Sequence, residues 1–153
     1  MIRTDRRMRL CTVLLVCNLV FIWGNSLLPG EVSGALSDWV KDTLESLLPV
    51  GGTSPSGTGL LRKAAHFTEF TLLGMLLSWL FGMLQRKKTW PLLCGVAAAC
   101  VDETIQRFVP DRGPSIRDVG IDSCGVLMGI FLLHLGYAYI CRRRSAKHFS
   151  EDK

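Results

Sequence analysis

The apolar residues of this chain are gathered into four blocks, each close to or above the length that a helix needs to cross a bilayer. The blocks run over residues 10–28, 65–84, 90–109 and 119–141. Soluble helices of this length would rarely be apolar on all sides. The blocks therefore predict an all-α membrane bundle with four transmembrane helices. The length of 153 residues predicts one domain, residues 1–153.

Basic residues are concentrated at three places between and beside these blocks, and they account for the net charge of +5. They precede the first block, fill the turn between the second and third, and follow the fourth: Arg3, Arg6, Arg7 and Arg9; Arg86, Lys87 and Lys88; Arg142, Arg143, Arg144, Lys147 and Lys153. With four spans, all three clusters lie on one side, which the positive-inside rule makes cytoplasmic. We expect both termini in the cytoplasm and no binding of nucleic acid.

Between the first two blocks, apolar residues recur at helical spacing over residues 32–48. The charged residues of this segment fall largely on the opposite side, which predicts an amphipathic helix too polar to span the membrane. This external helix could lie over the bundle as a lid or serve only as a connector. Residues 49–59 are rich in Gly, Ser, Thr and Pro and predict a flexible loop, and residues 109–117 predict an external loop.

The last block contains Gly125 and Gly129 in a GxxxG spacing, which is typical of close helix packing in membranes. Asp118 and Asp122 precede these glycines at intervals that place all four residues on one helix face. We therefore predict that this face packs against another helix and that both carboxylates point into the bundle.

Ionisable residues interrupt the apolar blocks at one common depth. The predicted topology places the start of the second block, the end of the third and the start of the fourth on the same outer side. Charges within a bilayer are costly and usually face a bundle interior or a water-filled cavity. We therefore predict one cluster in the outer half, formed by His66, Glu69, Asp102, Glu103, Gln106, Arg112, Asp118 and Asp122.

Taken singly, these residues have structural explanations. His66 could be a hydrogen-bonded interface residue, Asp102 and Gln106 an ordinary i,i+4 pair, and Asp118 a helix cap. Together they exceed what capping requires. Three chemistries stay open: a divalent cation held by carboxylates and histidine, acid–base work or proton relay by close acids, and an anion held by Arg112 and Lys63. No Walker loop, HExxH, GxSxG or dinucleotide fingerprint accompanies them.

Three motifs together closely resemble the VanZ-like family of bacterial membrane proteins, over roughly residues 10–140. The motifs are Lys63-x-x-His66-x-x-Glu69, Asp102-Glu103-x-x-Gln106-x-Phe108-x-Pro110-x-Arg112, and Ser115-x-x-Asp118-Val119 with Asp122 and Gly125. The resemblance implies a multi-pass protein of the bacterial cytoplasmic membrane. The founding member of the family is associated with reduced sensitivity to the glycopeptide teicoplanin. The usual family pattern has asparagine where this chain has Asp122, which adds a potential negative charge.

These features together predict an outward-facing polar site that acts on or binds an envelope lipid or a cell-wall precursor. In an enzyme, the catalytic candidates are His66, Glu69, Asp102, Glu103 and Asp122, and the ligand-binding candidates are Lys63, Gln106, Arg112, Ser115 and Asp118. A divalent cation is a candidate cofactor. The alternatives are a non-enzymatic headgroup-binding or proton-coupled transport protein, for which four spans would favour a homodimer, and a structural polar plug.

Overall fold

The computed structural model describes the backbone of residues 2–47, 57–110, 112–113 and 115–151. Five α-helices follow one another along the chain: α1 (Ile2–Ser26), α2 (Gly30–Leu47), α3 (Gly57–Met83), α4 (Trp90–Gln106) and α5 (Ile116–Glu151). The described residues contain no β-strand, so the predicted all-α fold is confirmed.

Three of these helices are long and apolar enough to cross a membrane, which indicates a membrane protein. These candidate spans are Asp5–Ser26, Leu61–Met83 and Ile116–Arg143. The third predicted span forms the helix α4, but α4 has only 17 residues. At 1.5 Å per residue it is roughly 26 Å long, slightly less than the hydrocarbon thickness of a bilayer. The described part of the chain therefore provides three candidate spans rather than four.

The helices extend beyond the apolar blocks that predicted them. Residues 57–59 of the predicted loop form the first turn of α3, whereas residues 48–56 lie outside the described part of the chain. Likewise, Ile116 and Arg117 belong to α5 and not to the external loop. Apolar composition marks only the part of a helix that contacts lipid, whereas backbone hydrogen bonding continues into polar sequence, so helix ends are the least certain part of such predictions.

Contacts between α1, α3 and α4 determine the direction of each helix. Cys11 Sγ lies 3.5 Å from the carbonyl oxygen of Leu76, and Asn25 contacts Glu69, so α1 and α3 are antiparallel. The turn at residues 84–89 then returns the chain, and α4 runs beside α1 in the same direction. We call the end where α1 and α4 finish and α3 and α5 start the polar end. The described residues of the three basic clusters lie toward the opposite end, which we call the basic end.

Helices α3 and α5 are parallel and touch through glycines. A Cβ atom on Gly125 would lie 2.6 Å from the carbonyl oxygen of Phe67, and one on Gly129 would overlap the backbone of Thr71. From the other helix, a Cβ on Gly74 would overlap the backbone of Val126. We call Gly74, Gly125 and Gly129 the glycine seam. The close packing predicted from GxxxG is thus present, and α3 is the partner helix.

The core lies beside this seam, where α4 and α1 join the pair. The side chain of Val126 fits against Gly95 of α4, where a Cβ would come within 2.5 Å of it. The cluster of buried apolar residues consists of Ile22, Phe70, Leu73, Leu77, Ala98, Ala99 and Val126. Small residues on α3, α4 and α5 therefore bring three helices together and fix the positions of the polar residues at their ends.

The external helix predicted over residues 32–48 forms as α2, between Gly30 and Leu47. The Gly30 N–H donates to the carbonyl oxygen of Pro110 at 3.4 Å, which holds the start of α2 near the α4–α5 connection. Ser33 and Val40 face a groove beside α3, whereas Trp39 is exposed. The side chains of Leu36, Leu44 and Leu47 and residue 48 lie outside the described part. Helix α2 therefore covers part of the bundle's polar end.

Candidate functional site

The predicted site residues all lie at the polar end of the bundle. Helix α3 supplies Lys63, His66 and Glu69 from its outer turns. Helix α4 supplies Asp102, Glu103 and Gln106 from its last two turns. Helix α5 and the segment before it supply the remainder: Arg112, Ser115, Asp118 and Asp122. The most deeply buried members are Asp102, Glu103, Gln106 and Asp122, with exposed fractions of 0%, 5%, 7% and 2%. Four polar side chains at this level of burial require internal partners.

Asp102 lies at the centre of the cluster. The Gln106 amide donates to Asp102 Oδ2 at 2.8 Å and to the hydroxyl of Ser26 at 3.3 Å, so α1 and α4 are joined through one glutamine. The i,i+4 pair predicted from sequence is present. Asp102 Oδ1 has no hydrogen-bond partner among the described residues.

His66 lies between two carboxylates without a hydrogen bond to either. Its Nδ1 atom is 3.9 Å from Asp102 Oδ2 and 4.0 Å from Glu69 Oε2. Asn25 of α1 donates to Glu69 Oε1 at 3.0 Å and holds that side chain in place. In the part of the chain that the structure describes, His66 Nδ1 and Glu69 Oε2 have no partner. The three ionisable groups thus surround a shared space instead of bonding to one another.

Glu103 connects the end of α4 to the start of α5. Its Oε2 atom accepts a hydrogen bond from the backbone N–H of Ser115 at 2.7 Å. The carbonyl oxygen of Ser115 in turn accepts from the N–H groups of Asp118 and Val119, at 2.9 and 3.2 Å. Ser115, a predicted ligand-binding residue, therefore acts through its backbone as a cap of α5, and its N–H is engaged within the protein.

The cations of the cluster lie at its rim. Lys63 Nζ is 3.5 Å from Asp118 Oδ1, and both side chains are partly exposed. Arg112 donates to the carbonyl oxygen of Ser26 at 3.4 Å. Burial lowers the pKa of the Arg112 guanidinium from its ordinary value, although an arginine in a protein stays charged. Among the described residues, no Lys or Arg nitrogen lies within 4.0 Å of the carboxylates of Asp102 or Asp122.

Two cavities reach the cluster from different sides. A small one of about 10 Å³ is enclosed by the buried acids and the rim cations: Arg62, Lys63, His66, Glu103, Gln106, Asp118, Ile121 and Asp122. A larger groove of about 330 Å³ lies between α1, α2 and α3, with Arg62, Arg112, His66 and Glu69 in its wall.

A third cavity of about 420 Å³ lies next to this groove, between α1 and α3. Its lining is mainly apolar: Asn18, Phe21, Thr68, Glu69, Thr71, Leu72 and Met75. Thr68 and Glu69 border both spaces, so the two lie side by side. We call them together the α1–α3 path. It runs from apolar residues about halfway along the bundle, of which Phe21 and Leu72 are exposed on its surface, to two arginines at the polar end.

Ser26 and Arg62 belong to this site, although neither was a predicted site residue. Ser26 is fully buried and contacts both Gln106 and Arg112. Arg62 lines both cavities at the polar end. Small polar residues at span ends and basic residues at membrane boundaries are common in any membrane protein, so neither residue type was a distinctive signal. The cue for Ser26 was its position beside Asn25 at the end of α1.

In a comparison with protein families, the chain matches the family described as VanZ/LLP1 over residues 11–137. No curated protein and no solved structure matches the chain. The matched region includes α2, α3 and α4 and most of α1 and α5, together with every residue of the candidate site. The chain therefore belongs to the VanZ/LLP1 family, as its motifs predicted.

Proposed function

We propose that this protein is a multi-pass protein of the bacterial cytoplasmic membrane whose polar end faces outward and binds or acts on an anionic envelope lipid or lipid-linked cell-wall precursor. The observation that carries the proposal is the α1–α3 path, formed by two adjacent grooves. It joins an apolar region at Phe21, Leu72 and Met75 to Arg62 and Arg112. An amphipathic molecule with an apolar chain and an anionic headgroup fits this order of side chains.

The two arginines match a phosphate or carboxylate headgroup. A guanidinium offers several donors in a planar fork, which suits such anions. Arg112 Nε has no hydrogen-bond partner among the described residues, and Arg62 lies on the same groove. His66 and Glu69 line the wall between headgroup and chain, so a bound headgroup would lie next to the buried acids.

The orientation follows from the basic end of the bundle. Positive charges beside spans favour the cytoplasmic side, so the polar end faces outward and both termini lie inside. We propose that α4 crosses the membrane in addition to the three candidate spans, because its first residue lies at the basic end and its last at the polar end. A reporter fused after Lys153 should be active only in the cytoplasm. A reporter that is active outside would reverse the orientation of the whole site.

Acid–base chemistry is supported by the unpaired atoms around His66. Buried polar atoms in proteins are nearly always hydrogen-bonded, and a structural plug would be expected to pair them. Asp102 Oδ1, His66 Nδ1 and Glu69 Oε2 have no partner among the described residues, although they lie close together. An imidazole between two carboxylates can accept a proton from a bound substrate and then return it. A non-enzymatic headgroup site would use the arginines alone.

The test is complementation of a strain that lacks the gene. Asp102→Asn, Glu103→Gln and His66→Gln keep the size and most hydrogen bonds of each side chain. We expect normal membrane levels and melting temperatures for all three in detergent, together with loss of the wild-type lipid and cell-wall precursor profile. Teicoplanin sensitivity is measured in parallel, because the family's founding member is associated with it.

Asp5→Asn is the matched control, since it removes one negative charge at the exposed basic end, where Asp5 pairs with Arg9. This control should restore the wild-type profile. Full complementation by all three site variants would support the polar plug and reject the proposed function. Loss of the variants from the membrane would show that these residues are needed for folding.

A further inference from the structure

We propose that His66, Asp102 and Asp122 bind one divalent cation in the outer half of the bundle. The inference rests on the proposed function, because the ion would lie between the buried acids and the phosphate of the bound lipid. A divalent ion that shares carboxylate and phosphate oxygens is a common arrangement at phosphate sites.

The first support is the spacing of the three side chains. One donor atom from each of His66, Asp102 and Asp122 lies within 4.8 Å of the other two. Divalent cations bind oxygen and nitrogen ligands at about 2.0–2.6 Å, so ligands on opposite sides of one ion are about 4–5 Å apart. No hydrogen bond joins these three side chains in the described region, and their spacing is within reach of three ligands around one ion.

The second support is the fully buried side chain of Asp102. Its Oδ1 atom has no partner among the described residues, whereas its Oδ2 atom accepts from Gln106. A hydrogen bond to one carboxylate oxygen fixes the orientation of the group, as partners of metal ligands usually do. One oxygen is thus held and the other is available as a ligand. His66 Nδ1 is likewise buried and has no hydrogen-bond partner in the described region.

The third support is the charge of the cluster. Asp102 and Asp122 are almost completely buried, and no Lys or Arg of the described chain lies within 4.0 Å of either carboxylate. Buried carboxylates without a counter-charge are strongly unfavourable. Lys63 pairs with Asp118, Arg112 contacts Ser26, and Arg62 lines the small cavity without lying within 4.0 Å of either carboxylate. A divalent ion would neutralise both acids.

The available space and the ligand types limit the ion. A cavity of about 10 Å³ is bordered by two of the three ligands, His66 and Asp122, and has the volume of about one water-sized sphere. Two carboxylates and one imidazole form a mixed oxygen and nitrogen set. Carboxylates suit Mg²⁺ and Mn²⁺ and imidazole suits Zn²⁺, so this set favours Mn²⁺ or Zn²⁺ over Mg²⁺.

The experiment measures metal binding by the purified full-length chain in detergent without added lipid. The protein is stripped with a chelator and dialysed against increasing Mn²⁺, Zn²⁺ or Mg²⁺, and the bound metal is measured by elemental analysis. We expect one Mn²⁺ or Zn²⁺ per chain and a higher melting temperature with metal. Loss of an outer-shell partner alone weakens metal sites about 10–100-fold, so Asp102→Asn and Asp122→Asn should weaken binding at least about tenfold. Asp5→Asn should bind as wild type does.

The proposal is overturned if the stripped wild-type protein binds no divalent cation, or if both site variants bind as tightly as wild type. It is also overturned if acidification raises the wild-type melting temperature while metal does not, because protons would then neutralise the acids. The metal titration of the wild-type protein tests the proposal even if a variant does not fold. The metal titration contains no lipid, so it tests the cation site separately from the proposed function. If the wild-type protein binds metal but the site variants fully complement the deletion strain, the proposed function is rejected and the cation site stands.

Discussion

Helices α3 and α5 meet in two contrasting ways along one line of contact. At the glycine seam the two backbones touch with no side chain between them, and the surroundings are apolar. About one turn further toward the polar end, the same two faces carry the partly buried His66 and the buried Asp122, and no hydrogen bond joins these two side chains. Close packing in one region thus fixes the geometry of the next region, where several polar atoms stay unpaired. A site with unpaired buried charges needs such a rigid neighbour, since its own interactions do not hold it together.

The largest effect is expected from a side chain placed in the seam. In Gly129→Leu, the new side chain must overlap the backbone of Thr71 and approach Met75, so α3 and α5 have to separate. Overpacking of a tight interface costs about 1–3 kcal/mol, and more where backbone must move. We expect the upper end of this range or beyond, seen as a large drop in melting temperature and membrane level.

Gly136→Leu is the control for that change, on the same helix and with the same increase in volume. A Cβ on Gly136 meets nothing within 4 Å, so its melting temperature should stay close to wild type. Equal behaviour of the two variants would show that the seam does not fix the helix pair.

An intermediate effect is expected from the hydrogen bond between Ser115 and Glu103. Ser115→Pro removes the N–H that donates to Glu103 Oε2, and proline is otherwise tolerated at a helix start. A buried hydrogen bond to a charged group contributes about 1.5–3 kcal/mol, which should appear as a lower free energy of unfolding. Ser115→Ala keeps the N–H and should be near neutral. A similar loss in both variants would assign the role to the hydroxyl instead.

The smallest effect is expected at the rim of the polar end. Lys63→Gln removes the ion pair with Asp118, whose partners are 44% and 27% exposed. Exposed ion pairs contribute at most about 1 kcal/mol, so the melting temperature should change little. Arg9→Gln, which removes the exposed pair with Asp5, is the reference for such a small change. A loss as large as that of Ser115→Pro would place the Lys63 pair among the structural contacts of the polar end.

Much of the fold could be predicted from the sequence, because apolar blocks and helix periodicity depend on local composition. The GxxxG spacing also identified the packing face of α5. The partners of that face could not be predicted, since isolated glycines such as Gly74 and Gly95 show no preference for a particular neighbour. The number of spans was also only partly predictable. The sequence predicted a crossing at residues 90–109, but α4 ends at Gln106 and is too short to count as a candidate membrane span.

The sequence predicted the depth of the candidate site in the bundle, but it did not predict the contacts within the site. Helical rise and chain direction suffice to bring His66, Asp102 and Asp122 to one end of the bundle. Rotation of each helix about its axis decides which atoms meet, and this depends on packing across the whole bundle. The contacts of Asn25 with Glu69 and of the Ser115 backbone with Glu103 were therefore not predicted.

The position of the glycine seam also determines where the bundle can open. Since α3 and α5 touch through backbone, they cannot part without losing the whole interface. The α1–α3 path lies on the other side of α3, against α1. In the described part of the chain, the hydrogen bonds of α1 at the polar end come from Asn25 and Ser26. Widening of the path must move α1 and stretch the bond between Asn25 and Glu69. The arrival of a ligand between these helices would therefore alter the hydrogen bonding of Glu69 directly.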